Sequence, residues 1–444
     1  MTTACRGLVL VTAAGLVAAA VGVRAAWAGS SLEPAALRCE CREEPMNVDA
    51  AQPRFQWRSQ AVDPQRRGLR QTAYRILVAA DETLLQADRA DVWDSGQVAS
   101  DQSVDVRYSG PPLQSHTCYW WKVQLWDQDG QPTAWSRPAR FCTGLLSADE
   151  WVARWITAPG GEAPRALPLF RHRFALAKPV RHALVFICGL GHYELRLNGQ
   201  RVGDWVMDPG WTNYRRTCLY SGYDVTDRLQ VGENALGVML GNGMYNVTGG
   251  RYVKFTGSFG APQLICQLHV TFTDGTTQIV ASDPSWRTAP GPIVFSCIYG
   301  GEDYDARREL PGWDTASFDA TAWGAAAACD GPGGRLVAQY APPIHVAERL
   351  VPAAINRLES GAYEIDCGLN LSARPFFKVR GQRGQQVTVT CAEQQGHPWE
   401  GHAYTSTLTG EGEETCVPRF TYFSFQYLYV SGVARPEDAG SAAG

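Results

Sequence analysis

The stretch from Gly189 to Tyr245, GLGHYELRLNGQRVGDWVMDPGWTNYRRTCLYSGYDVTDRLQVGENALGVMLGNGMY, restricts the chain more than any other feature. Tyr193, Leu195 and Leu197 alternate with polar residues, which is the period of a strand with one buried face. Asn198-Gly199 follows, a pair that adopts the positive φ angles of a tight hairpin turn. Asp224-Val225-Thr226 then leads through Gly232-Glu233-Asn234 into the apolar run Ala235 to Leu240, short enough for a fully buried strand. Strands of this length, separated by turn residues at these intervals, predict a β-sandwich.

The same cadence extends in both directions. Tyr74-Arg75-Ile76-Leu77-Val78 and the run Tyr119 to Trp126 read as strands, with Asp94-Ser95-Gly96 and Asp129-Gly130 as turns between strands. Further on, YEIDCGLNLSARPFFKVRGQRGQQVTVTCAEQ and RFTYFSFQYLYVSG read as another all-β unit. The Ala- and Gly-rich patch from Ala325 to Gly334 reads as a loop, because Asp330-Gly331-Pro332-Gly333-Gly334 cannot continue a helix. The expected architecture is all-β, three sandwiches in tandem over residues 32–147, 150–335 and 342–433, ahead of a polar tail at 434–444.

The motifs LNGxxVG, PGWTxY, YDVTxxL and GxNALGVMLGNGxY resemble the N-terminal jelly-roll domain of bacterial α-L-rhamnosidases, glycoside hydrolase family 78. LRCECREEP, RQTAYRILVA and YWWKVQLWDQDG resemble the fibronectin-type-III-like domain that precedes it, and the third unit resembles the sandwich that follows it. The galactose-binding-like jelly roll departs from the family pattern at Met244, where Trp is usual. The resemblance runs from about Leu32 to Gly432. It implies hydrolysis of terminal α-L-rhamnosides by inversion, carried out by an (α/α)6 barrel that this stretch does not include. The chain is therefore expected to be the accessory portion of such an enzyme, without turnover of its own.

Composition narrows the partners. A formal charge of −4 leaves no broad basic surface for phosphates, so nucleic acid is not an expected partner. Residues 1–28 carry Arg6, an apolar run from Leu8 to Val23 and the small-x-small ending Ala26-Trp27-Ala28. That is a signal-peptide pattern and predicts a secreted or periplasmic protein with no other membrane segment. Of 13 cysteines, Cys5 would leave with the signal, and the remaining even number permits disulfides without requiring them. Cys39 and Cys41 read as small apolar residues on one strand face. No CxxC pair points to structural zinc.

Candidate sites follow from residue type and position. Trp205, Trp211, Tyr214, Asn242, Tyr245 and Asn246 lie in or beside turns, where rings and amides can project toward a sugar. The competing reading makes them turn residues and core aromatics that close the sandwich. Asp204, Asp208 and Asn213 supply oxygens for a calcium ion, which related rhamnose-binding jelly rolls employ. In GEDYDAR, Asp303 and Asp305 fall on one side of a strand, with an ion pair to Arg307 or Arg308, or packing against the neighbouring domain, as the expected role. His397 and His402, near Glu393, Glu400, Glu411, Glu413 and Glu414, are five apart in a Pro-containing loop and do not share a helix face. No nucleophile elbow, P-loop or dinucleotide fingerprint is present. Rhamnose-containing glycans and a separate catalytic chain are the expected partners. The alternative functions are a free-standing secreted carbohydrate-binding or adaptor module and a sandwich-built adhesion protein.

Overall fold

In the computed structural model, residues 29–160, 166–247, 249, 251 and 256–433 are described. Residues 1–28 and 434–444, to which the signal peptide and the tail were assigned, lie outside them. Among the described residues no helix is long and apolar enough to cross a membrane, and the one α-helix, Glu82–Gln86, is capped by the Asp81 carboxylate.

The first unit packs a sheet of Leu32–Cys39, Arg54–Ala61 and Val106–Arg107 against a second built on Ala73–Ala79, Cys118–Trp126 and Ala139–Cys142. Period-two alternation puts Phe55 and Trp57 inside, and Phe55 lies 4.4 Å from the ring of the fully buried Trp121. Cys118 and Cys142 stand opposite each other on neighbouring strands and form a disulfide. Cys39 and Cys41 do not share a strand face. The strand ends at Cys39, which is buried, and Cys41 sits exposed in the following turn at φ 62°.

The second unit is the jelly roll. A six-stranded sheet runs in the order Gln200–Arg201, His192–Leu197, Gly232–Gly241, Pro168–Leu176, Arg287–Pro290, Gly324–Ala325. It faces a seven-stranded sheet centred on Val180–Leu190 and Gln263–Phe272. Asn198 and Gly199 make the expected hairpin at φ 51° and 82°. Leu195, Leu236, Val238 and Leu240 meet Val185, Ile187, Leu264 and Leu268 in one core. The Ala-rich patch is not all loop: Gly324–Ala325 and Ala327–Cys329 are short edge strands, one on each sheet, and the glycines turn the chain only after them.

The third unit is a seven-stranded sheet with an unexpected membership. Its order is Ile293–Cys297, Gly301–Asp305, Ala403–Thr407, Gln386–Ala392, Phe423–Ser431, Tyr363–Ala373, Ala354–Arg357. The first two strands come from the segment assigned by sequence to residues 150–335. They belong here because Gly301–Asp305 pairs in parallel with Ala403–Thr407, a distant partnership with no local signature. The cores merge as well, since Leu167, Leu169 and Met239 of the jelly roll join Trp313, Tyr363, Val389 and Phe425 in one buried cluster.

The parallel pairing rests on Gly301. Its φ is 95°, and a Cβ there would collide with the Ala403 carbonyl oxygen. Gly301→Ala is expected to lower the unfolding free energy by about 3 kcal/mol, from left-handed strain plus displacement of the paired strand. Urea denaturation checks this, and a loss of under about 1 kcal/mol would mean the pairing tolerates the shift.

Candidate functional site

The turn from Gly203 to Arg216 is organised by Asp208, whose carboxylate is buried at 3 % exposure. One oxygen accepts hydrogen bonds from Ser221 Oγ at 2.6 Å and from the Tyr193 and Tyr223 hydroxyls at 3.3 Å each. The other accepts from Gln339 Nε2 at 2.9 Å. Burial raises its pKa, against the pull of these four donors. Asp204 and Asn213 are exposed, and Asn213 Oδ1 accepts from the Arg215 amide at 3.2 Å. These three residues do not fit a calcium ion, because both oxygens of Asp208 face inward to hydroxyl and amide donors. Among the described residues no cluster of three or more His, Cys, Asp or Glu is placed to hold a metal.

The aromatic and amide set divides in two. Tyr214 and Tyr245 are each 1 % exposed and pack edge-to-face at 5.2 Å. Phe259 closes over both of them, and the Tyr245 oxygen takes a hydrogen bond from the Gln263 amide. Asn242 donates to the Ser296 carbonyl at 2.8 Å and accepts from Asn246 Nδ2 at 3.0 Å, while Asn246 Oδ1 accepts from Ser258 at 2.7 Å. These four side chains turn inward and tie the loop down instead of projecting toward a ligand. Met244 likewise lies in a small core with Val247, Cys297 and Ile298. Trp205 is half-buried against Tyr223, ring centroids 5.0 Å apart, and Trp211 is 59 % exposed. Surface presentation falls to these two.

The acidic string is fully engaged. Asp305 pairs with Arg307 at 2.8 Å, as expected, whereas Asp303 pairs with Arg251 at 3.1 Å. Glu302, which drew no attention in sequence, is wholly buried and accepts the backbone amides of Arg419 and Phe420 at about 3.0 Å. Alternation within GEDYD was the available signal, since it sends Glu302 and Tyr304 to the face opposite Asp303 and Asp305. His397 is exposed, while His402 is buried, stacked on Phe423 at 4.1 Å and bonded to Thr421. The two histidines therefore share no site.

Sequence also gave no hint of an apolar groove of about 470 Å³ beside this turn. Val206, Met207, Ile344, Val346 and Leu371 line it together with Arg374. Ile344 is 55 % exposed and Val346 45 %. The segment 342–350 has no regular period, so neither strand nor helix patterning marks its apolar residues. The edge strand Ala354–Arg357 of the third unit is exposed along its whole length. Exposed apolar side chains such as Ile344 and Val346 on a groove are the kind of surface that partners cover.

Comparison with known proteins assigns the three units. Residues 34–147 match the Rha78A-like N-terminal immunoglobulin domain, 178–348 the α-L-rhamnosidase N-terminal domain, and 356–442 the bacterial α-L-rhamnosidase concanavalin-like domain. An α-L-rhamnosidase of Formosa agariphila is 34 % identical over 442 residues, covering 90 % of this chain and 46 % of that protein. One of Streptomyces avermitilis is 28 % identical, covering 91 % and 56 %. The structure of the α-L-rhamnosidase from Dictyoglumus thermophilum superposes with a TM-score of 0.82 at 34 % identity, covering 92 % of this chain and 48 % of that one. That of Streptomyces avermitilis α-L-rhamnosidase complexed with L-rhamnose gives 0.84 at 27 % identity, covering 93 % and 57 %. The chain thus spans about half the length of these relatives.

Burial lowers the His402 pKa to about 4, with the nearby Arg251 charge acting in the same direction. In the unfolded chain the ring titrates near 6.5, so between those values the unfolded state holds more protons. Stability from the neutral ring is complete above about pH 6.5 and lost as pH falls toward 4. Wild type is expected to lose about 2 kcal/mol more than His402→Gln over that window in urea titrations. The raised pKa values of Asp208 and Glu302 act oppositely, but equally in both proteins. Parallel pH profiles would rule the argument out.

Proposed function

Because the chain belongs to the α-L-rhamnosidase family, glycoside hydrolase family 78, and matches its N-terminal portion, we propose that it is the accessory part of an enzyme cleaving terminal α-L-rhamnosides in rhamnose-containing glycans. The helical catalytic unit implied by the family resemblance, in the same polypeptide or a separate chain, is the occupant of the apolar groove. The observation that carries this reading is the groove itself, with the apolar Ile344 and Val346 exposed on it, in a chain covering only 46–48 % of relatives it matches at 34 % identity.

The carboxylates support it too. Inverting hydrolysis needs two opposed carboxyls roughly 6.5–9.5 Å apart with room for a water. Asp208 and Glu302 are each saturated by internal donors, and Asp303 and Asp305 are held by arginines. This fits chemistry supplied by the unit that fills the groove, and the leader-like pattern of residues 1–28 supports a location outside the cytoplasm. A second reading, a free-standing sugar-binding module, is favoured by Trp211, exposed on its turn. Loss of L-rhamnose binding on Trp211→Ala would support it.

Two measurements test the main reading. The purified chain is expected to release no product from an aryl α-L-rhamnoside, and to bind the C-terminal half of the Formosa agariphila relative in titration calorimetry. Ile344→Asp with Val346→Asp, at exposed positions that tolerate charge in the free chain, is expected to weaken that association by about tenfold or more. Hydrolysis by the chain alone, or association indifferent to both substitutions, would overturn it.

A further inference from the structure

A second cavity, of about 200 Å³, lies in the seam between the jelly roll and the third unit. It is lined by Glu194 and Arg196 of the strand His192–Leu197, by Tyr304, Glu309 and Trp313, and by Arg419. Arg196 is used up internally, holding Asp314 through Nε at 2.5 Å and Glu194 through Nη1 at 2.9 Å. Arg419 is not. Its Nε is 3.9 Å from Glu194 and its guanidinium lies 4.8 Å from the Tyr304 ring centroid, but among the described residues Nη1 and Nη2 have no hydrogen-bond partner. The side chain lines the cavity and is 28 % accessible, although its backbone amide is locked to the buried Glu302. Glu309, also on the lining, accepts the Tyr304 hydroxyl on one oxygen at 2.6 Å, and the other has no hydrogen-bond partner among the described residues.

We propose that this seam cavity is a binding site for a neutral pyranose, separate from the groove and from the Trp211 turn. A cavity of about 150 Å³ holds a six-membered ring such as benzene, so this volume takes one sugar residue. Adjacent sugar hydroxyls are at once donors and acceptors, which matches that carboxylate oxygen and those two guanidinium nitrogens on one lining. Charge selects against an acidic sugar, since the lining sets two guanidinium groups against three carboxylates, Glu194, Glu309 and Asp314. The site does not close on a single residue. Tyr304, Glu309 and Pro311 also border a recess of about 530 Å³ that continues past Arg383 and Glu411, so a longer glycan has somewhere to run.

The test is titration of the whole chain with L-rhamnose, D-galactose and D-glucose, with D-glucuronate as the anionic control, followed by ligand-observed NMR. At least one neutral sugar is expected to bind, more tightly than glucuronate. Glu309→Gln, at an exposed side chain whose loss leaves the fold intact, and Arg419→Lys, which keeps the charge but not the planar fork, are each expected to weaken binding by about tenfold. If Arg419→Lys fails to fold, Glu309→Gln alone decides. Trp211→Ala is expected to leave this binding unchanged, which separates the site from the module reading, and Ile344→Asp likewise separates it from docking. Absence of binding by all three neutral sugars, preference for glucuronate, or binding insensitive to Glu309→Gln would overturn the proposal.

Discussion

Glu302 is the interaction on which the joining of the second and third units depends. Its carboxylate has no exposure and is anchored by the amides of Arg419 and Phe420. Burying a carboxylate costs several kcal/mol unless hydrogen bonds and nearby cations repay it, and here the Arg419 and Arg374 charges act alongside the amides, although burial still keeps the pKa above its usual value. What this secures is the path of the chain between the strands Glu413–Cys416 and Phe423–Ser431. That path presses Phe420 against the jelly roll, where Gly241 has no room for a Cβ beneath the ring and His192 lies 6.2 Å from it. An apolar side chain at position 302 would leave two amides without acceptors and the ring without a fixed seat.

From that anchor the merged core follows. The jelly roll contributes Leu169 and Met239 to the cluster that holds Trp313 and Phe425, so the two units do not present separate apolar faces to each other across water. The polar remainder of the junction is collected at one place, where Glu194 is held by Arg196 and approached by Arg201 and Arg419. Those cations outweigh burial and keep the Glu194 carboxyl below its ordinary pKa. The seam cavity opens where this charged cluster meets the apolar residues Leu169, Met239 and Trp313.

Local period made much of this architecture legible. The hairpin at Asn198-Gly199, the buried run Ala235 to Leu240 and the strand at Tyr119 to Trp126 were all readable because alternation, turn chemistry and apolar length are properties of neighbouring residues. The sheet that Ile293–Cys297 and Gly301–Asp305 join was not legible for the opposite reason, since parallel pairing to Ala403–Thr407 is settled by residues far along the chain. Tyr214 and Tyr245 show the same limit at the level of side chains. A turn position permits projection, but Phe259 and Gln263 decide against it. Arg419 carried no signal, for it lies in the irregular stretch before the last strand and its importance comes from a cavity formed by two units.

The two concavities also share a physical link. Arg374 borders the apolar groove, and its Nη1 donates to the Pro418 carbonyl at 3.2 Å, one residue before the backbone amide that Glu302 holds. Arg374 feels the charges of Arg201, Glu302, Glu194 and Arg419, with burial as the larger influence lowering its pKa. A partner covering the groove would remove water from Arg374 and strengthen each of those interactions, because the effective dielectric falls as solvent leaves. The segment from Pro418 to Phe420 is therefore held from the groove side by Arg374 and from the core by Glu302, and it carries Arg419, which lines the seam cavity. Coupling between the two sites needs no long pathway, since a single short stretch of backbone belongs to both.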